Sequence, residues 1–464
     1  MNRQIESYLK LRQEEAQLDI SSLCGRLVEY SQIDAGLYEK YHVKRGLRYS
    51  DGSGVAAGIT RICSVHGYII DEGVRTPIPG ELIYRGYDIN DLVENAEKED
   101  RFVFEEIVYL LLFGCLPTAD ELERCAQALS RRRELPPGFL VDSIMQSPSK
   151  NIMNKLARSI LSLYSYDESP DETTIEDEMR IAMNLIAKMP CLMNGAYQTK
   201  RHKYDYASMV MHQLKPEEKT AETILSLLRS DRSYTKEEAQ LLDVMLALQA
   251  EHGGGNNSTF ACRVATSSGT DPYAAYASAI NSLKGPRHGG ANLKVIQMLD
   301  DIKAHVHNWE DEGEVADYMT KLLKKEAGDR SGLIYGMGHA VYTLSDPRAV
   351  ILKRKAFALA KGKEIEPEFH LLALIEHLTP ELMRSVRGID KTVCANVDMY
   401  SGLVYRMLGI PDELFTPLFA TARMVGWSAH RMEEILTGKR IIRPAYRTIS
   451  KRKEYVPLCN RAAE

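Results

Sequence analysis

Apolar residues recur every three or four positions along most of this 464-residue chain, which is the period of an amphipathic α-helix. The segment 236–250 is the clearest case. Thr235 and Glu238 form a capping-box pair at its start, and the glycines at 253–255 follow its end. An aspartate followed by proline predicts two more helix starts, at 271–272 and 346–347. Helices are also predicted at 103–113, 220–229, 272–283, 291–304, 312–326, 346–360 and 415–436.

Strand-like alternation is confined to residues 63–89, where turn residues interrupt short apolar and polar runs. Polar, turn-rich segments at 165–178 and 327–339 are predicted to be loops. The fold class predicted from these patterns is mainly α, with a small N-terminal β ribbon.

Composition adds that the chain is an ordinary globular protein, with 44% hydrophobic residues and a formal net charge of −5. An acidic balance argues against nucleic acid or an anionic membrane surface as the main partner. The most apolar run, 107–116, is about half as long as a membrane span. Eight scattered cysteines without a CxxC pair are typical of reduced thiols, and the first residues resemble no targeting segment. We therefore predict a cytoplasmic protein.

A chain of this length is expected to form two domains, or one large domain with a smaller lobe. No shift in composition marks a linker, so a second domain is predicted to be an insertion. The segment 439–453 carries seven Lys and Arg residues and no acid. Such a stretch is either a solvated basic tail or a site for a small polyanion.

Motifs for metal and nucleotide cofactors are missing. The chain has no phosphate-binding P-loop, and Gly336-Met337-Gly338 lacks the third glycine of a dinucleotide fingerprint. His305 and His307 have no cysteine or carboxylate pair at ligand spacing and are interpreted as surface residues. We predict no metal and no cofactor.

Four segments place an ionisable residue beside glycines at a helix boundary, at 251–257, 285–292, 336–339 and 396–402. Their ionisable residues are His252, His288, His339 and Asp398. Glycine lets the backbone approach a ligand closely, and helix ends present unpaired amides. A base with nearby hydrogen-bond donors is the equipment for proton transfer at carbon. The alternative is that each histidine is a structural cap.

Three of these blocks resemble the signature blocks of citrate synthases. They are LKGPRHGGAN at 283–292, YGMGHAVYTLSDPR at 335–348 and NVDMYSGLVYRMLGIPDELFTPLFATARMVGW at 396–427. Their order and spacing extend the resemblance over about 84–443. It implies a citrate synthase-like fold, in which a large helical domain (1–288 and 398–464) carries an inserted smaller domain (289–397). It also implies a homodimer.

The resemblance implies a role for each matching position. His288 matches the residue that hydrogen-bonds the thioester oxygen of acetyl-CoA, Asp398 the base that removes a methyl proton, and His339 the residue that polarises the ketone of oxaloacetate. Positions that match or resemble oxaloacetate contacts are His252, Asn256, Arg348, Arg423 and Arg443, the last supplied by the other subunit. Lys391 matches a lysine that contacts CoA phosphate.

The sequence departs from the family pattern near the expected CoA phosphates. A basic pair is common at the positions of Ala340 and Thr343, with Leu344 next to the latter, and Ala395 replaces a usual proline. The implied activity is condensation of acetyl-CoA with oxaloacetate to citrate and CoA. A 2-methylcitrate synthase, which uses propionyl-CoA, shares every residue named. A non-catalytic paralogue that binds a carboxylate is a third possibility, favoured only by the altered segment.

Overall fold

The computed structural model describes residues 24, 27–28, 31–49, 53–71, 74–172, 174–389 and 392–461. By its contacts the chain divides into two units, Met1–Ala57 and Gly58–Glu464. The first unit contains helix α1 (Gly36–Lys40) and a 3₁₀ turn at Arg45–Leu47. Everything below concerns the second unit.

The predicted β ribbon is confirmed as an antiparallel sheet of three strands in sequence order. These are β1 (Cys63–Asp71), β2 (Val74–Tyr84) and β3 (Tyr87–Asp88). The register pairs Cys63 with Tyr84, and it shifts between His66 and Tyr68, where β1 is irregular. A bulge of this kind bends a strand locally, and here it lies where the ribbon meets the segment 341–345.

The rest of the unit is helical, which confirms the predicted class. The helices before the glycine-rich segments are α2 (Ile89–Lys98), α3 (Phe104–Phe113), α4 (Ala119–Arg131), α5 (Ile152–Leu163), α6 (Ile175–Tyr204), α7 (Thr220–Leu228) and α8 (Lys236–Gln249). Those after them are α9 (Asn257–Ser267), α10 (Pro272–Leu283), α11 (Ala291–His305), α12 (Glu312–Leu323), α13 (Pro347–Ala360), α14 (Glu366–Arg387), α15 (Asp398–Met407) and α16 (Phe415–Thr437). Each predicted helix is present, with ends that differ by three residues or fewer.

The pattern did not predict α1, α2, α4, α5, α9 and α15, nor the two long helices α6 and α14, each of which has a proline inside it. Proline removes one backbone donor and clashes with the preceding turn, so it normally indicates a break. Pro190 is nevertheless buried within α6, where packing on both sides keeps the helix continuous. The predicted loop 165–178 is wrong in its last residues, because Thr174 caps a helix that begins at Ile175.

Helix α16 forms the centre of the core and packs against α5, α6, α8, α9 and α10. Its residues are buried almost without interruption from Phe415 to Met432. A helix enclosed on all sides should be apolar all round, yet α16 carries Arg423, His430 and Arg431 into the core. Arg431 is paired there with Glu178 of α6 at 2.6 Å.

Helix α12 packs on both α11 and α14, and α11, α13 and α14 contact α15. The inserted domain at 289–397 stays a prediction. In the part of the chain that the structure describes, no helix has both the length and the apolarity needed to cross a bilayer.

The β ribbon touches the segment 341–345 through glycine. The Gly80 amide donates to Ser345 Oγ at 3.1 Å, and Tyr342 Oη donates to the Glu81 carbonyl at 3.1 Å. A β carbon on Gly80 would come within 2.2 Å of the Ser345 carbonyl oxygen and 2.6 Å of Tyr342 Cδ1. The ribbon thus fixes the backbone that follows His339.

Gly80→Ala is expected to lower the free energy of unfolding by about 1–3 kcal/mol, because the added methyl group overpacks this contact. Gly58→Ala is the matched control, since a β carbon there meets nothing within 4 Å. It should change the free energy of unfolding by less than about 0.5 kcal/mol. Chemical denaturation measures both variants, and equal stabilities would contradict the contact.

Candidate active site

The loop 251–256 between α8 and α9 carries His252 and is held by the β ribbon. The hydroxyl of Tyr84, on β2, lies 2.9 Å from the Glu251 carbonyl oxygen and accepts a hydrogen bond from the Glu251 amide at 3.2 Å. Gly253 then turns the chain at φ +87°, a conformation that favours glycine. The loop is therefore fixed at both sides of His252.

Arg423 of α16 lies behind this loop with an unusual hydrogen-bond inventory. Its side chain is wholly buried, and Nε donates to the Gln249 carbonyl at 2.7 Å. Nη1 and Nη2 are buried without a hydrogen-bond partner among the described residues. Burial lowers the pKa of the guanidinium. A buried cation with two unsatisfied donors is costly unless an anion binds it, so these nitrogens point to an anionic ligand.

His252 shares the same surroundings. Its Nε2 is also buried without a hydrogen-bond partner in the described chain. Burial, followed by the charges of Arg348 and His339, holds the pKa of His252 well below its usual range. The ring is therefore neutral near pH 7, and Nε2 is available for a polar ligand atom.

Arg348, in the first turn of α13, supplies a second cation. Asp346, the N-cap of that helix, accepts from the Arg348 amide at 3.0 Å and binds the guanidinium through Nε at 3.0 Å and Nη2 at 2.7 Å. Both side chains are buried. The bidentate pair fixes the orientation of the guanidinium and raises its pKa.

His339 packs against His252 edge-on, with ring centroids 5.1 Å apart, and stacks on Tyr342 at 4.6 Å. Its Nδ1 accepts from the amides of Val341 and Tyr342, both at 3.1 Å. Backbone amides only donate, so Nδ1 is unprotonated and the neutral ring carries its proton on Nε2. The loop thus selects the tautomer in which His339 Nε2 is a donor.

Backbone pairing ties the His339 loop to the start of α15, which begins at Asp398. The Gly338 amide donates to the Cys394 carbonyl at 2.8 Å, and the Asn396 amide donates to the Gly336 carbonyl at 2.9 Å. The Asn396 side chain donates to the Gly338 carbonyl at 2.8 Å and accepts from the Asp398 amide at 3.0 Å. One residue, Asn396, therefore fixes both ionisable side chains relative to each other.

Burial raises the pKa of the Asp398 carboxyl to about 6, while Arg348 lowers it, Asp346 raises it and Arg423 lowers it. A carboxylate in this condition is still ionised at neutral pH but is a stronger base than an exposed one. Strongly perturbed carboxyls beside cations are typical of functional sites.

His288 follows α10 in a turn that glycine makes possible. A β carbon on Gly289 would come within 2.4 Å of the Leu283 carbonyl oxygen, and Thr416 Oγ1 donates to the Gly289 carbonyl at 2.8 Å. His288 Nε2 lies 3.0 Å from Ser258 Oγ. Burial, and then the charge of Arg423, lowers the pKa of His288 to about 4. Its ring is therefore neutral and can serve as a hydrogen-bond donor.

Comparison with known proteins indicates the family of this chain. The family model described as citrate synthase, C-terminal domain, matches residues 49–445. The chain is 34% identical to the citrate synthase of Haloferax volcanii, over 82% of this chain and 93% of that protein.

The chain belongs to the citrate synthase family. It is also 33% identical to the 2-methylcitrate synthase of Shewanella oneidensis, over 82% of this chain and 92% of that protein. Among solved structures, it is similar to the citrate synthase of Thermoplasma acidophilum in ternary complex with carboxymethyl coenzyme A and oxaloacetate. That similarity has a TM-score of 0.72 and 28% identity, and it covers 89% of this chain and all of the other. The chain is accordingly an enzyme of the acyltransferase type.

The remaining predicted site residues are Asn256, Arg443 and Lys391. Asn256 is the N-cap of α9, and its side-chain oxygen accepts from the Ser258 amide at 3.3 Å and lies 3.0 Å from Ser258 Oγ. Arg443 is exposed in the extended tail that follows α16. Lys391 lies outside the described residues. The roles of all three stay predictions.

The family resemblance did not indicate the residues that hold this site. Ser258 receives a hydrogen bond from Trp427 Nε1 at 3.2 Å and contacts both Asn256 and His288. Glu251 and His430 form a buried pair at 2.9 Å directly behind His252. The available signal was position alone, since Glu251 precedes His252 and Ser258 follows Asn256 by two residues.

Two of the residues that depart from the family pattern, Leu344 and Ala395, lie at one cavity. Leu344, Cys394 and Ala395 line a cavity of about 380 Å³, together with Lys353 and Arg354. Both cations already have acidic partners. Lys353 pairs with Glu376 at 2.7 Å, and Arg354 pairs with Glu97 at 3.4 Å. The altered segment of this citrate synthase family member thus borders a cavity whose lining includes charged side chains.

Proposed function

We propose that this enzyme condenses acetyl-CoA with oxaloacetate and hydrolyses the citryl-CoA formed, which makes it a citrate synthase without a cofactor. The observation that carries the proposal is the pair of unpartnered nitrogens on Arg423 beside the unpartnered Nε2 of His252. A small dicarboxylate satisfies both, because a carboxylate accepts two parallel hydrogen bonds from a guanidinium. Arg348 is the second cation for such a dianion.

Proton abstraction is assigned to Asp398. It removes a proton from the methyl group of the acetyl thioester, and the electron pair moves onto the thioester oxygen to give an enolate. A neutral His288 hydrogen-bonds that oxygen, a contribution that can reach about 3–4 kcal/mol for one well-placed donor. The Ser258 hydroxyl has one proton, and we assign it to the hydrogen bond with Nε2 of His288, so that the ring carries its own proton on Nδ1 and donates from there.

Carbon–carbon bond formation is assigned to the His339 side. The enolate carbon attacks the ketone carbon of oxaloacetate, and the electron pair of the ketone moves onto its oxygen. The alkoxide accepts a hydrogen bond from Nε2 of His339 and takes up the proton that Asp398 removed. Arg348, Arg423 and His252 hold the oxaloacetate so that its ketone faces the enolate. Water then cleaves the thioester, which yields citrate and CoA as the free thiol. Exclusion of bulk water before this step protects acetyl-CoA from hydrolysis.

We also propose that the active unit is a homodimer in which Arg443 reaches the oxaloacetate of the partner subunit. The tail after α16 is extended, and it exposes large apolar side chains that a monomer leaves in water, among them Ile441, Tyr446 and Tyr455. Exposed apolar groups in series mark an interaction surface. A symmetric pair of tails would cover both.

The acyl group is the finer question, because relatives of nearly equal identity are named as citrate synthases and as 2-methylcitrate synthases. Release of free thiol from acetyl-CoA and from propionyl-CoA, with and without oxaloacetate, decides it. We expect oxaloacetate-dependent release with a higher kcat/KM for acetyl-CoA. A higher value for propionyl-CoA would assign the chain to 2-methylcitrate synthesis, and no release from the folded protein would favour the binding paralogue.

Asp398 gives a pH prediction. The ionised carboxylate is the base, and its pKa is raised to about 6, so kcat should be fully expressed above that pH and lost as the pH falls through about 6. Asp398→Asn is expected to lose at least about 10³-fold in kcat and to keep its affinity for oxaloacetate in calorimetry. A variant that turns over like the parent enzyme would remove Asp398 from the mechanism.

Arg443 gives a subunit-mixing prediction. Arg443→Ala and Asp398→Asn are each expected to be inactive alone, yet a mixed dimer contains one site with an intact Asp398 and an intact Arg443. Equal amounts of the two chains, refolded together, should recover about a quarter of the parent activity by random assortment. Failure to recover any activity in dimers shown to be mixed would place Arg443 in its own subunit's site or in none.

A further inference from the structure

A buried chain of polar side chains runs from the His252 loop to the far side of α16. Glu251 Oε1 lies 2.9 Å from His430 Nε2, and His430 Nδ1 lies 2.6 Å from Nη2 of Arg263. Arg263 is also paired with Glu433 through the same Nη2 and with Glu434 through Nη1, the latter at 2.8 Å. A guanidinium only donates, so His430 Nδ1 accepts and Nε2–H donates to Glu251. The chain therefore has one direction, from Arg263 to Glu251.

The Glu251 carboxylate is held by one oxygen only. Oε1 accepts from His430 and from the Gly253 amide at 2.5 Å. Oε2 is buried without a hydrogen-bond partner among the described residues. It packs against α16 at Gly426, where a β carbon would come within 2.1 Å of it. Glycine at this position leaves room for the charged oxygen.

Arg423 lies one turn before Gly426 on the same helix. Like the Glu251 carboxylate, its guanidinium has atoms without a hydrogen-bond partner among the described residues. Its Nη1 and Nη2 are unpartnered, and Nε is anchored to Gln249. The charge of Glu251 acts on it, yet the two form no ion pair in the described structure. In a low-dielectric interior, attraction between opposite charges is strong and a released carboxylate would turn toward the cation. Each side chain is instead held by other partners. Arg423 is held through Nε by the Gln249 carbonyl, and Glu251 is held through Oε1 by His430 and the Gly253 amide.

We propose that His430, backed by Arg263, is a positioning residue that holds the Glu251 carboxylate away from Arg423 and so keeps this guanidinium open for a substrate carboxylate. The inference rests on the proposed function, because it takes Arg423 to be an oxaloacetate contact. Without the restraint, Glu251 pairs with Arg423 and competes with oxaloacetate. A residue that only filled space would have no such effect on the carboxylate.

The test is the dissociation constant of oxaloacetate, measured by calorimetry on the full-length protein. His430→Leu removes the donor to Glu251 at similar volume, and we expect the dissociation constant to rise by about 10-fold or more, the effect of losing a charge-assisted contact. The KM for oxaloacetate should rise in parallel, while kcat at saturating oxaloacetate should stay within about 3-fold of the parent value. His430→Gln retains a donor and should bind nearly as the parent does.

The double variant His430→Leu with Glu251→Gln separates positioning from packing. A neutral amide cannot compete as an ion for Arg423, so we expect the double variant to recover most of the lost affinity. If the affinity is no better than that of His430→Leu, the role of His430 is structural and the proposal is overturned. Should His430→Leu fail to fold, Arg263→Met releases His430 from the other end and should weaken binding in the same direction.

Arg431→Met is the matched control. It breaks a buried ion pair at the neighbouring position of α16, but its partner Glu178 is on α6. It should reduce stability without raising the dissociation constant of oxaloacetate. If the parent itself does not bind oxaloacetate, the proposed function fails. If the parent binds, a crystal structure of unliganded His430→Leu with Glu251 still more than about 4 Å from Arg423 overturns this inference alone.

Discussion

The organisation of this molecule depends on one constraint: a guanidinium group is enclosed in protein, and two of its nitrogens have no hydrogen-bond partner among the described residues. Arg423 is wholly buried on the central helix α16, and among the described residues only its Nε has a hydrogen-bond partner. Such a group costs several kcal/mol when nothing binds it. In the described part of the chain, the surrounding elements supply packing and one carbonyl acceptor, but no anion that is hydrogen-bonded to the guanidinium. A carboxylate that binds here satisfies these donors, and the free-energy cost that it relieves adds to its binding affinity.

The same enclosure shapes the rest of the site. Burial raises the pKa of Asp398 and lowers those of His252 and His288, so one physical cause gives a stronger base and two neutral rings. Three of the ionisable residues lie on glycine-rich turns, and hydrogen bonds to neighbouring elements fix each turn. Asn396 joins the His339 loop to α15, and Tyr84 joins the His252 loop to the ribbon. These contacts hold buried ionisable groups in fixed positions, which suits the proposed enolisation of a weak carbon acid.

Local periodicity predicted about half of the helices, since an amphipathic face and a cap are properties of neighbouring residues. Helices α6 and α14 could not be predicted in this way, because their internal prolines are tolerated only through tertiary packing. The ionisable residues of the site stood out by their position beside glycines, and the family resemblance gave them roles. What the sequence could not provide was the pairing of Glu251 with His430, 179 positions apart. That pairing exists only because α16 crosses the His252 loop.

A crystal structure of the protein with oxaloacetate tests most directly whether Arg423, His252 and Arg348 form the oxaloacetate site. We expect one carboxylate of oxaloacetate to be bound to Nη1 and Nη2 of Arg423, with His252 Nε2 in hydrogen-bond contact and the ketone oxygen facing Nε2 of His339. Oxaloacetate bound elsewhere, or Arg423 paired with Glu251 while the ligand occupies the cleft, would contradict this assignment.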